Sequence, residues 1–225
     1  GTLALTEHFL PHVKKAYLIE NNPNLKNFIE HKIKENGWED KVELIFGDAM
    51  KVVLPEKVDY IVGELMSIFC ANEFQVQIFK HLRQFLKTGG KLLPERIVNI
   101  AQLAFTKFDT NYKHYPLIFT RHLPERLSLQ TIVNTIDLNN ETELYIEKNI
   151  EITPVMSGTV NAIIMHSLVQ VAEGCNFTGT DSLMPPTVCK LKSPVEVQQG
   201  KAIKLHCKFT YGTNLNEAEF WVQAS

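Results

Sequence analysis

No stretch of the sequence approaches the roughly 20 consecutive apolar residues that a membrane-spanning helix requires. A membrane partner is therefore not expected. No secretory leader pattern stands at the start of the sequence as given. The four cysteines, Cys70, Cys175, Cys189 and Cys207, never fall at a C-x-x-C spacing. That excludes zinc knuckles and dithiol redox motifs, and no metal site is expected. The thiols are expected to be free and buried in a reducing, cytoplasmic setting. Asn140-Glu141-Thr142 and Asn176-Phe177-Thr178 fit the glycosylation pattern and are read as chance matches. A basic excess is also missing. The formal net charge is -2, the pI is about 6.5, and the lysines are scattered rather than blocked. Nucleic acid is thus not an expected partner. No internal repeat or low-complexity segment stands out.

What is present is ordinary soluble composition. The 225 residues are 44% hydrophobic and 21% charged, enough for one large domain or two small ones with a real core. Leu3, Leu5 and Phe9 suggest a helical start that stops at Pro11. Ala16-Tyr17-Leu18-Ile19 reads as a buried strand with Glu20 at its tip, and Asn21-Asn22-Pro23 as the start of a helix over residues 24–35. That helix carries Leu25, Phe28, Ile29 and Ile33 at helical spacing and ends at Asn36-Gly37. A strand over 42–46, a buried strand over 58–62, a helix over 72–86, a turn at 87–90 and a strand at 91–94 complete an alternating pattern. In the helix, Phe74, Ile78, Leu82 and Leu86 are expected to point inward. Such alternation means βαβ units and a parallel sheet with its strand tips on one edge. The character changes at 94–96. Beyond it, strands and turns predict an antiparallel β-domain, barrel or sandwich-like, with an irregular insert over 110–149 and one helix near 127–135.

Three acids sit at strand tips: Glu20, Asp48 and Glu64. Ligands of open α/β sheets bind at that edge. Glu20 suits a ribose diol, because one carboxylate can accept from two hydroxyls. Gly47-Asp48-Ala49 suits an adenine, with Asp48 facing the exocyclic amine and the backbone of Ala49 and Met50 facing the ring edge. Alone, the first is shared with nicotinamide enzymes, and the second is equally a common turn. Glu64 breaks out of its strand after Gly63, and Glu73 follows nine positions on. Two carboxylates flanking one loop can grip a cation from both sides, and a guanidinium fits best because its planar fork matches carboxylates in bidentate fashion. The bland alternative is a helix-start acid plus a solvated surface Glu. The histidines get the bland reading too: His166 and His206 as strand residues, and His8, His12 and His31 as solvated helix positions. Phe69 and Trp221 are read as packing residues.

These motifs resemble a known family. Gly1-Thr2-Leu3-Ala4-Leu5, Leu18-Ile19-Glu20-Asn21-Asn22-Pro23 and Gly47-Asp48-Ala49 are similar to successive motifs of class I S-adenosylmethionine-dependent methyltransferases. Residues 64–73, ELMSIFCANE, resemble the double-Glu loop of protein arginine methyltransferases, nearest the symmetric-dimethylating branch. Residues 86–94 and the β-domain after them also match. The resemblance implies a Rossmann-like class I methyltransferase domain over 1–95, followed by an antiparallel β-barrel-like substrate domain over 96–225. It implies S-adenosylmethionine as cofactor, with Gly1 at the end of the Gly-rich motif, Glu20 on the ribose, and Asp48, Ala49 and Met50 around the adenine. It implies Glu64 and Glu73 as the catalytic clamp on a protein arginine, in-line displacement at the sulfonium methyl, and a homodimer through the inserted arm.

The sequence departs from the family pattern in three places. The first strand and leading glycines of the cofactor loop are absent from the sequence as given. Ser182-Leu183-Met184 stands where a Thr-His-Trp loop is expected, so a His paired near the second Glu is unsupported. Leu65 and Ser67 replace the family's frequent Trp and Gly. Two other readings follow from these: a methyltransferase acting on RNA or a small amine, and a non-catalytic methyltransferase-like scaffold. A nicotinamide dehydrogenase is remote, since nothing in the double-Glu loop serves hydride transfer.

Overall fold

The structure, a computed structural model, describes residues 3–108, 111–140, 142–179 and 184–224. Helix α1 (Thr6–Phe9) runs into a 3-10 turn, Leu10–His12, that contains Pro11. Strand β1 (Ala16–Glu20), helix α2 (Pro23–Glu35) and strand β2 (Val42–Phe46) follow. The Asn22 side chain caps α2 by accepting from Asn24 N at 3.0 Å, and Pro23 fills the first position, where no N–H is needed. Ile29 and Ile33 of α2 bury with Leu3, Leu10 and Val42 in a small core. Phe28 remains 40% exposed, so the inward stripe is narrower than its spacing predicts.

Next come β3 (Val58–Val62), α3 (Gln75–Leu82), a 3-10 turn Arg83–Phe85 and β4 (Leu86–Leu93). β1 and β2 pair in parallel, and so do β3 and β4. Among the described residues no ladder joins the two pairs, so the expected single parallel sheet is two separate halves. This corrects the reading of β3 as buried: with a ladder on one edge only, it buries Ile61 and leaves Tyr60 and Val62 exposed. Helix α3 is shorter than expected. Its inward face is Gln75, Val76, Phe79 and Leu82, while Phe74 lies outside. Residues 87–90 belong to β4 rather than to a turn, and a Cβ on Gly90 would stand 2.9 Å from the Asp59 carbonyl.

The β-rich part holds β5 (Arg96–Phe105), β6 (His114–Pro116), β7 (Glu125–Arg126), β8 (Thr131–Asp137), β9 (Tyr145–Ile152), β10 (Gly158–Ala172), β11 (Cys175–Thr178), β12 (Thr187–Val197), β13 (Ile203–Thr210) and β14 (Glu219–Ala224). The helix expected near 127–135 is strand β8 instead. Its branched Thr131, Ile132, Val133, Thr135 and Ile136 favour a pleated surface over a helix. The ladders form a seven-stranded sheet in the path β6-β12-β10-β5-β7, with β8 on β5 and β11 on β10, and a three-stranded sheet β14-β13-β9. All these pairings are antiparallel, and the described strands do not close into a barrel.

One apolar core crosses residue 95. Ile61, Phe79 and Leu92 from the α/β part share it with Ile163, Cys207, Phe209 and Phe220. Cys70, Cys189 and Cys207 are free and buried as expected, whereas Cys175 is exposed beside the turn between β10 and β11. No helix among the described residues is long and apolar enough to cross a membrane.

Candidate functional site

Strand pairing fixes the first two acidic tips side by side. β1 and β2 run in register through Glu20↔Phe46, and Gly47 N donates to Glu20 O at 2.9 Å. The Glu20 Oε1 accepts from the backbone N–H groups of Asn21 and Asn22 at 2.8 and 2.7 Å. These bonds hold the carboxylate at the strand end. Asp48 Oδ1 accepts from Met50 N at 2.9 Å, and Oδ2 lies 3.4 Å from Lys51 Nζ. The Met50 N–H bond is the leading cause that holds the Asp48 carboxyl below its usual value. The Met50 N–H expected at an adenine edge is thus already engaged in the Asp48 turn. Gly1 lies outside the described residues. The acceptor set still fits a nucleoside: a carboxylate at one tip for hydroxyls, and a carboxylate in an adjacent turn for an amine.

The third tip is tied differently. Gly63 N donates to Leu93 O at 3.0 Å, which fixes the exit of β3. A Cβ on Gly63 would stand 2.8 Å from Phe79 Cε1, so glycine is required where α3 packs against the strand end. Glu64 follows, exposed, and Glu73 stands exposed just before α3. Among the described residues neither carboxylate is paired with a protein cation, so no internal arginine plugs the loop. The segment between them is pinned rather than loose. Leu65 N donates to Gln75 Oε1 at 2.7 Å, and Asn72 N to Ser67 Oγ at 2.9 Å. Phe69 and Cys70 turn through left-handed φ values of 58° and 51°. Outside glycine that conformation costs about 1–2 kcal/mol per residue, so external contacts must hold it.

Those contacts come from the β-rich part. Phe69 packs its ring against Phe209 and Phe220 at centroid distances of 5.5 and 6.1 Å. Phe69 N donates to Ser167 Oγ at 3.2 Å, Gly212 N to Cys70 O at 2.9 Å, and Leu215 N to Asn72 Oδ1 at 2.8 Å. On α3, Gln77 Nε2 donates to Tyr211 O, and His81 Nε2 bonds to Val52 O at 2.8 Å, which links the helix after Glu73 to the segment after Asp48. Sequence reasoning missed Gln75, Ser167, Tyr211 and Gly212. Their signal was a polar residue on an inward helical face or inside an apolar strand run, and a glycine just past a strand. Phe69 is core, as expected. Trp221 is half-buried, stacked on His206 at 4.9 Å. His8, His12 and His31 are solvated.

The resulting arrangement offers a hydroxyl and amine acceptor pair on one strand edge. Two further carboxylates, Glu64 and Glu73, stand exposed at the ends of a fixed loop and can accept N–H donors from a cation.

Residues 3–93 match the family model described as PRMT5 arginine-N-methyltransferase. An uncharacterised protein of Methanocaldococcus jannaschii is 26% identical over 205 residues, which cover 90% of this chain and 75% of that protein. The histone-arginine methyltransferase CARMER of Drosophila persimilis is 34% identical over 80 residues, 36% of this chain and 15% of CARMER. The chain therefore spans a small part of CARMER's length. A Trypanosoma brucei PRMT1 structure, solved as an enzyme-prozyme heterotetrameric complex with AdoHcy, superposes with a TM-score of 0.73 at 14% identity. The superposition covers 94% of this chain and 81% of that one, and at this identity the likeness is one of fold.

Proposed function

We infer that this chain, an arginine N-methyltransferase-like class I methyltransferase, transfers a methyl group from S-adenosylmethionine to a guanidinium nitrogen of protein arginine. The observation that carries this reading is the loop from Glu64 to Glu73: fixed at Leu65, Phe69, Cys70 and Asn72, with both terminal carboxylates presented to solvent. In this reading Glu20 holds the cofactor ribose, and Asp48 with Ala49 and Met50 borders the adenine. The cofactor supplies an electrophilic sulfonium methyl. Glu64 and Glu73 accept the guanidinium N–H groups from two sides. They draw its positive charge toward themselves and away from the third nitrogen, which becomes the better nucleophile. They also fix the direction of approach, and well-oriented groups of this kind can contribute about 7–11 kcal/mol to lowering a barrier.

The division into residues 1–95 and 96–225 belongs to the same proposal, with the second part serving substrate and loop. So does a homodimer. Ile118, Phe119, Leu123 and Leu129 are 69–85% exposed on the inserted segment, and a second copy of the chain would cover them. Buried free thiols support a reducing, cytoplasmic setting.

The test is incubation of the protein with methyl-labelled cofactor and, in parallel, an Arg-rich peptide, an RNA and a small amine. Label on the peptide, lost when its arginines become lysines, supports the reading. Label on the RNA or the amine alone would replace the acceptor, and binding of S-adenosylhomocysteine without any transfer would favour a scaffold.

A further inference from the structure

We propose that Ser167 and Asn134, deep in the β-rich part, are positioning residues for the two-carboxylate loop. The proposal rests on the reading of that loop as the guanidinium clamp. Its basis is a circuit that leaves the loop at Phe69 through a chain of hydrogen bonds ending at the Tyr211 hydroxyl, and returns to Cys70 from Gly212, the next residue in the chain. Phe69 N–H donates to Ser167 Oγ on β10, and the Ser167 hydroxyl donates to Asn99 Oδ1 on β5 at 2.9 Å. Asn99 Nδ2 donates to Asn134 Oδ1 on β8 at 3.2 Å, and Asn134 Nδ2 donates to the Tyr211 hydroxyl after β13. One residue on, Gly212 N donates to Cys70 O at 2.9 Å. Every side-chain donor points the same way, from the loop toward Tyr211, so the bonds polarise one another cooperatively.

The circuit lies in the core. Asn99, Asn134, Ser167 and Tyr211 are 0%, 5%, 2% and 0% exposed. Apolar side chains of similar size would hold β5, β8 and β10 together equally well, because a buried polar network specifies geometry more than it adds stability. What the polar residues add is a single position for the Phe69–Cys70 peptide, whose left-handed backbone lies between the two carboxylates. Fixing that peptide fixes the separation of Glu64 from Glu73. The bonds described for the cofactor-side residues run elsewhere, from Asn21 and Asn22 to Glu20 and from Met50 and Lys51 to Asp48.

The test compares Ser167→Ala, Tyr211→Phe and wild type as whole proteins. Tyr211→Phe removes one hydroxyl with almost no change of shape, so it is expected to fold even if Ser167→Ala does not. Hydrogen exchange over 64–74 should quicken by about 10-fold in each variant while exchange over 16–46 stays unchanged, as loss of one local hydrogen bond predicts. S-adenosylhomocysteine affinity should stay within about twofold, while kcat for an Arg-rich peptide falls by about 10-fold, consistent with a positioning loss. Exchange over 64–74 that matches wild type, or that rises equally across the whole chain, overturns the proposal. Wild type that methylates no peptide defeats the clamp reading alone, since the exchange result still decides whether the circuit holds the loop.

Discussion

Gln75 Oε1 accepts a hydrogen bond from Leu65 N at 2.7 Å, so the residue after the first loop carboxylate is fastened to the residue two past the second. Gln75 is fully buried at the start of α3, and its Nε2 has no partner among the described residues. Gln75→Leu keeps the volume and removes the acceptor, stranding a backbone N–H. The expected loss of stability is about 1–3 kcal/mol by urea denaturation. Methyl transfer should fall while S-adenosylhomocysteine affinity holds, because Glu20 and Asp48 are tied elsewhere. Unchanged transfer in a folded Gln75→Leu variant would mean that the bond is incidental.

Gly212 has φ +70°, and a Cβ there would stand 2.3 Å from Gln77 Nε2 and 2.8 Å from Phe74 Cδ1. Gly200 has φ +77° with nothing within 4 Å. Alanine at Gly200 should therefore cost only the left-handed penalty of about 1–2 kcal/mol. Alanine at Gly212 should cost more, and should also quicken hydrogen exchange over 64–74. Equal losses at the two positions, read from urea midpoints, would show that the close approach to α3 carries no weight.

Burial pushes the Cys70, Cys189 and Cys207 thiols up to about 12. Cys175 alone of the four is exposed. Iodoacetamide at pH 8 should modify Cys175 in the folded protein and reach all four cysteines only in denaturant. Rapid native labelling of Cys70 would indicate that the double-Glu loop opens readily, against the anchoring described above.

His114 and His166 are both held below the usual imidazole value, chiefly by burial, with Lys113 beside the first and Arg126 near the second. The Nε2 of each is buried, with no hydrogen-bond partner among the described residues. In the unfolded chain both titrate near 6.5, the value from which they are lowered in the fold. The unfolded state thus binds more protons as pH falls below that value, and stability drops toward the lower folded values. Their contribution is fully present above the unfolded pKa. The urea midpoint should be flat from about pH 8 to 7 and decline through pH 6, and His166→Asn should reduce the decline. A midpoint that rises on acidification through this range would contradict the burial of both rings.

Much of the α/β half was legible in the sequence. Ala16–Glu20 and Val42–Phe46 are strands at the bounds that their apolar runs suggest, and Asn22-Pro23 opens the helix by a local capping mechanism. What local pattern cannot reveal is how strands pair. β3 reads as a buried strand because Val58, Tyr60, Ile61 and Val62 are apolar, yet its exposure depends on which neighbour lies at its second edge. Residues 127–135 mix helical spacing with branched side chains, and pairing with β5 decides for the strand. Of the candidate site, the two glutamates and the tip acids stand out in the sequence because they sit at element ends. The residues that hold the loop do not. Ser167, Asn99 and Asn134 lie 98, 68 and 35 positions from their hydrogen-bond partners Phe69, Ser167 and Asn99, and only the fold brings them together.

The central claim is that Glu64 and Glu73 jointly grip a guanidinium beside a methyl donor. Its most direct measurement is methyl transfer to an Arg-rich peptide by Glu64→Gln and Glu73→Gln, with S-adenosylhomocysteine affinity measured by calorimetry on the same preparations. Each substitution should abolish transfer and leave the affinity within about twofold of wild type, since the lost interaction acts on the acceptor rather than on the cofactor. Transfer that survives in both variants would contradict the account.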